Sequence, residues 1–262
     1  MRLYLSGVLE KMNTKNYNID EIINLADCHV LQSFAYAKEK HTEKYKQCKS
    51  FMMDSGAFTI MHSKSTKNFD IMDFTRKYGE FVKKYDIDNF VELDVDGVFG
   101  VEKYRDALHL LQDITGKDPV RVFHGWRGKD YFKELVRQKD RICLGGVAVG
   151  KFRNITEDYF DWFIDEAHRN NCKVHGLGVT GDKLLRKYNF DSVDSSTWSF
   201  SVRGGWLYRF DGSGLSTYLG SEGCKGNERI SNVFCLQYSL KEWVKYSQYL
   251  DKEFEDLYNK EI

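Results

Sequence analysis

The sequence predicts an α/β fold: a single (β/α)8 TIM barrel over residues 1–262, with a Gly- and aromatic-rich insertion after the last strand. Three observations carry this. The chain holds eight short apolar runs, amphipathic or helix-length stretches separate them, and its 262 residues are close to the ~250 typical of such barrels. The competing arrangement is a doubly wound open sheet. No low-complexity linker and no internal repeat divides the chain, so it reads as one domain.

The predicted strands are RLYLSG (2–7), CHVLQSF (28–34), SFMMDSG (50–56), NFVELDVD (89–96), VRVFHG (120–125), RICLGGV (141–147), KVHGLGV (173–179) and FDSVDSS (190–196). Each is a short apolar run bounded by turn residues. Helical periodicity is clearest in DIMDFTRKYGEFVKKYD (70–86), VEKYRDALHLLQDITG (101–116) and EDYFDWFIDEAHRN (157–170). The last predicted helix, 239–261, brings Leu240, Trp243, Tyr246, Leu250 and Phe254 near one face. The insertion at 199–238 is rich in Gly, Ser and aromatics and too long for a simple connection. In a barrel it is expected to lie over the strand C-termini.

Bulk properties exclude several classes. Lys+Arg and Asp+Glu both number 39, so the formal net charge is zero. Any attraction for a polyanion must therefore come from local patches. Six cysteines (28, 48, 143, 172, 224, 235) form no C-x-x-C pair and no metal-ligand spacing, which argues against a disulfide framework. No secretion-type apolar region opens the chain and no run approaches ~18 apolar residues. A soluble, cytoplasmic protein is expected, with no membrane partner.

Polar residues recur at the predicted strand ends: Asp54, Asp94 with Asp96, His124, Gly145-Gly146, His175-Gly176 and Asp194. One such residue is ordinarily a turn former, but the repetition at equivalent places reads as a catalytic mouth. Two carboxylates there can run a glycosyl transfer, one attacking or stabilising C1′ and one handling the proton of the leaving group. Glycines let a flat ring approach the backbone. A metal held by His124, His175, Asp94 and Asp96 is the rival arrangement, but no H-x-H or H-x-x-x-H pair supports it. Neither a metal nor a cofactor is expected. The GGVAVG run (145–150) lacks the Lys-Ser/Thr of a P-loop.

Taken in order, the strand-end motifs resemble those of the tRNA-guanine transglycosylase superfamily. DSGAF (54–58) is similar to its D-S-G-G-F, ELDVDG (92–97) to its carboxylate motif and VFHGW (122–126) loosely to V-Q-G-G. GGVAVGK (145–151) is similar to G-G-L-A-V-G-E, VHGLGV (174–179) to L-M-G-V-G and VDSSTW (193–198) to the nucleophile segment. The resemblance implies Asp194 as nucleophile, holding a covalent glycosyl-enzyme intermediate, and Asp54 as general acid/base. It implies that Asp94 binds the purine edge, aided by Ser55, His124, Gly145, Gly146 and Val147, with His175 and Gly176 along the base. NFDSVDSS also offers Asp191; the overlay on the family's D-L-F-D-S run favours Asp194.

The departures are specific. The family's C-terminal zinc site is missing: only Cys224 and Cys235 stand there, and no histidine follows His175. Lys151 replaces the glutamate that ends G-G-L-A-V-G-E. A compact chain of this kind looks most like the phage-type enzymes that exchange guanine in DNA for a 7-deazaguanine such as preQ0. The implied partners are DNA and a free 7-deazaguanine base, with tRNA (queuine- or archaeosine-type exchange) as the alternative substrate and a non-catalytic subunit as the alternative class. A homodimer is left open. Arg203, Trp206 and Arg209 in the insertion, with Tyr208, Lys225 and Arg229, are expected to contact the nucleic acid, and Arg127, Lys129, Lys151 and Arg153 to extend that patch.

Overall fold

A computed structural model describes residues 1–12, 18–61, 69–146, 158–179, 181–204, 206–219 and 231–258. Seven parallel strands form one sheet: β1 (Arg2–Ser6), β2 (His29–Ser33), β3 (Ser50–Asp54), β4 (Arg121–Phe123), β5 (Arg141–Leu144), β6 (Lys173–Gly176) and β7 (Ser192–Ser195). Their order is β3-β2-β1-β7-β6-β5-β4. A separate antiparallel hairpin pairs β8 (Trp206–Phe210) with β9 (Leu215–Leu219). Helices of six residues or more are α1 (Glu39–Tyr45), α2 (Ile71–Lys84), α3 (Val101–Thr115), α4 (Lys129–Gln138), α5 (Asp158–Arg169), α6 (Asp182–Lys187) and α7 (Asn232–Tyr258).

This corrects the expected closed eight-stranded TIM barrel. The sheet ladder has seven strands, not eight, and is open between its edge strands β3 and β4. The expected strand at 89–96 does not form. Only two isolated bridges occur there, Met53 with Phe90 and Val91 with Val120. The physical reason lies in the side chains. In a continuing ladder the amide of Val122 would seek a backbone carbonyl of the neighbouring segment. Here it donates instead to Glu92 Oε1 at 2.8 Å. Asn89 likewise donates from its side chain to the carbonyl of Phe51 at 3.2 Å. The Tyr78 hydroxyl of α2 reaches the carbonyls of Val91 and Met53 at 2.9 and 3.2 Å. Backbone bonds hold the middle of this seam, among them Val91 N to Met53 O at 2.9 Å and Val120 N to Phe90 O at 2.8 Å, and polar side chains take over where the pairing stops.

Alternation along the strands separates two faces. Leu3 and Leu5 of β1 join the large cluster beneath the helices, whereas Tyr4 joins a small inner cluster with Leu31, Met52, Val91, Val122 and Cys143. Contact among residues drawn from β1, β2, β3, β4, β5 and the seam requires the sheet to curl. At the strand N-termini, His29 bonds Ser50 Oγ at 2.6 Å and Asp251 Oδ2 at 2.7 Å, tying α7 to β2 and β3.

Local signals account for the main helices. Asp70 caps α2 by accepting from the amides of Met72 and Asp73. α3 ends at Gly116, whose φ of 65° supplies the left-handed C-terminal turn. Gly79 lets α2 approach α3, since a Cβ there would lie 3.1 Å from Ile114. α7 begins at Asn232, seven residues ahead of expectation, and takes the end of the proposed insertion into a helix. The rest of its described part is a short helix at Ser201–Gly204 and the β8–β9 hairpin, which packs against α7: Phe210 N donates to Glu242 Oε2 at 2.8 Å. Among the described residues no helix is long and apolar enough to cross a membrane.

Because the Tyr78 hydroxyl serves two buried carbonyls across the seam, Tyr78→Phe is expected to lower unfolding free energy by about 1–2 kcal/mol. Urea unfolding measures this. A loss below about 0.5 kcal/mol would mean that the backbone bridges alone hold the seam.

Candidate active site

The C-terminal ends of the strands converge on two carboxylates of different character. Asp194, the third residue of β7, is tightly held. Its Oδ2 accepts from Ser6 Oγ at 2.8 Å and its Oδ1 from the amide of Gly178 at 2.7 Å. His175 Nε2 stands 3.5 Å from Oδ1, long for a hydrogen bond but close for a charge interaction. Burial alone would raise this carboxyl; His175, the Gly178 N–H and the Ser6 hydroxyl outweigh it and hold Asp194 below its usual range. His175 is itself buried and oriented by Ser192 Oγ at 2.8 Å from Nδ1. The imidazole therefore presents its other nitrogen to Asp194.

Asp54 ends β3 over the apolar inner cluster. Its Oδ2 accepts from the amide of Gly56 at 3.0 Å, the turn expected of D-S-G. Gly56 is required there: its φ is +73°, and a Cβ would come within 2.4 Å of Ser33 Oγ. Burial, then the negative charge of Asp194, push Asp54 up to about 7. One mouth thus holds an ionised carboxylate and a second that stays protonated to near neutrality.

Asp94 and His124 form a third feature. His124 Nε2 is 2.6 Å from Asp94 Oδ1. Gly145 fits closely beneath the imidazole, since a Cβ at 145 would lie 2.6 Å from His124 Cε1. Trp126 covers this histidine, its ring 4.0 Å away and 10° from parallel.

Several expected residues have other tasks. Ser55 is 2% exposed, and its hydroxyl accepts from the amide of Ala57. The Gly145 amide donates to Phe123 O at 2.9 Å, continuing the ladder rather than facing a ligand. Gly176 is dictated by packing, because a Cβ would sit 2.6 Å from Val179. Gly146 follows at the strand end with φ +87°. Val147, Lys151, Arg153, Lys225 and Arg229 lie outside the described residues, as does the side chain of Arg203. Trp206 is partly buried against the core, and Arg209 is exposed. Arg127 is not available for phosphate: it binds Asp96 Oδ2 at 2.8 and 2.9 Å and lies over the rings of Tyr104 and Tyr131.

Asp191 is placed away from Asp194. It precedes β7 and accepts from the amide of Val174 at 2.7 Å while bonding His168 at 2.9 Å. Asp94, Asp96 and His124 could offer three metal-ligand atoms within 4.8 Å of one another. The Arg127 guanidinium occupies Asp96 Oδ2 and His124 Nε2 bonds Asp94 Oδ1, while Asp96 Oδ1 and His124 Nδ1 are buried without a hydrogen-bond partner. His175 serves Asp194 instead. Ser6 and the Gly178 amide escaped the sequence reading; the signal available was Ser-Gly ending the first predicted strand and Gly-Leu-Gly ending the seventh.

No protein-family model and no curated protein sequence matches the chain.

The two carboxyls are electrostatically linked, so removing the Asp194 charge should lower the Asp54 titration midpoint. Carboxyl-carbon NMR of wild type and Asp194→Asn tests this; an unchanged midpoint would remove the coupling. The unfolded chain releases the Asp54 proton near 3.8, the folded chain near 7. Unfolding free energy should consequently fall as pH rises between about 4 and 7, through the release of this group. Asp54→Asn should abolish that slope in denaturation curves measured across the window.

Proposed function

We propose that this chain is a pentosyltransferase that exchanges guanine in nucleic acid, DNA in the first instance, for a 7-deazaguanine base. The observation that carries the reading is a pair of carboxyls at one mouth with unequal surroundings. Asp194 accepts from Ser6 and the Gly178 amide and is held down, while burial and the Asp194 charge push Asp54 up. Supporting it is the motif resemblance running from DSGAF to VDSSTW. The curled sheet places those strand ends around the mouth without closing as a barrel.

Double displacement divides the work as follows. An oxygen of ionised Asp194 attacks C1′ of the nucleotide, and the C1′–N9 bond breaks. The proton on Asp54 passes to the departing guanine, leaving an Asp194 glycosyl ester and an ionised Asp54. The incoming base then loses its N9 proton to Asp54, attacks C1′ and releases Asp194. Atoms and charge balance over the two steps, and Asp54 returns protonated. The Asp94–His124 pair supplies polar groups for the purine edge. The base must leave its stack to enter such a mouth.

The test is release of labelled guanine from DNA and from tRNA, each with a 7-deazaguanine supplied. Wild type is expected to release it from DNA, Asp194→Ala to fall to background, and Asp54→Asn to lose about 10²–10⁴-fold. Release from tRNA alone would transfer the activity to that substrate; none from either would leave a non-catalytic subunit.

The first step needs protonated Asp54. Its single-turnover rate should decline as pH rises through about 7, and this limb should vanish in Asp54→Asn. A rate still climbing above that pH would rule out Asp54 as the acid.

A further inference from the structure

The segment expected to stack bases does not present its rings. Tyr208 is buried edge-on to Trp243 at 5.5 Å, Phe210 packs on Tyr246 and Tyr249, and Trp206 is partly buried. The turn after β4 does present one. Trp126 is 53% exposed, and the other four tryptophans (162, 198, 206 and 243) are buried or partly buried. About half of this tryptophan's surface remains exposed beside the mouth. Its position is also defined. The ring stacks on His124, which bonds Asp94 inside the mouth. Its chain neighbour Arg127 is clamped to Asp96, and Gly97 lies under its edge, a Cβ there being 3.7 Å from Cζ2. Beside Gly97, Val98 is 59% exposed. The wall of the mouth therefore continues outward as a flat aromatic surface with an apolar margin.

We infer that Trp126 is the platform on which the base adjoining the reacting nucleotide stacks, so that the strand crosses the β4 side of the mouth. The inference rests on reading the mouth as a nucleic-acid site. Every base has a π-face, so such a platform holds a strand without demanding a sequence. Continuity with His124 and Asp94 favours a nucleobase as occupant, because a base held next to the flipped nucleotide falls at the rim of the same pocket.

The experiment titrates a short single-stranded oligonucleotide against the full chain, reading tryptophan emission and the anisotropy of a labelled strand. Wild-type emission should be quenched on binding, Trp126→Phe should lose most of the quench, and Trp162→Phe should keep it. Trp126→Ala should weaken binding about 5- to 100-fold. The slope of log affinity against log salt should stay unchanged, because no charge is removed. Trp126→Phe, which keeps a ring, should weaken binding less and guards against a folding defect in the alanine variant. Wild-type affinity and quench in both Trp126 variants would overturn the inference. So would concentration-dependent self-association lost in Trp126→Ala, which would mean that a second copy covers the ring. Guanine exchange with the same KM for the strand in Trp126→Ala would sink the platform and spare the activity. Trp126-dependent quenching without exchange in any substrate would spare the platform and sink the activity.

Discussion

The arrangement depends on how the two edges of a parallel sheet meet. β3 and β4 each carry backbone groups that need partners, and buried backbone groups without them are costly. Residues 89–92 lie between the edges and satisfy them partly by backbone bridges and partly by side chains. Glu92 is the central piece: one oxygen accepts from the Val122 amide, and the other from the Tyr104 hydroxyl at 2.8 Å and Arg121 at 3.3 Å. Burial raises the carboxyl of Glu92, with Arg121 first among the groups that counter it. The seam thus anchors α2 through Tyr78 and α3 through Tyr104.

That anchoring determines where Asp94 lies. Two residues beyond Glu92, the chain turns out of the seam, and Asp94 meets His124 at the end of β4. The same linkage explains why Arg127 is committed. Its guanidinium bridges Asp96 and the Val122 carbonyl at 3.2 Å, bracing the exit of the seam against the turn that bears Trp126. Phosphate contact would forfeit that brace.

At the mouth, environment divides two chemically identical groups. Asp194 receives a hydroxyl, an amide and a neighbouring imidazole; Asp54 receives an amide and sits over apolar side chains, facing a charge of its own sign. An acid and a nucleophile can be built from one residue type when the donors are distributed unequally. Ser6 and Gly178 are therefore as much part of the arrangement as the carboxylates they hold. Neither has a chemical signature of its own, since one is a hydroxyl on a strand and the other a backbone N–H.

The sequence by itself determined the sites of all seven sheet strands, the cores of the four longest helices and the placing of Asp54, His124 and Asp194 at strand ends. Alternation and turn residues are local properties, legible in a window of a few residues. Only tertiary structure decided that NFVELDVD would be a side-chain-stapled seam rather than an eighth strand, because Glu92 and Tyr78 act on partners far along the chain. The same holds for Gly176, required by Val179 and Phe190, and for the hairpin, whose aromatic residues α7 takes into its own packing. Local pattern says which residues can reach a site; what they do there depends on neighbours that only folding supplies.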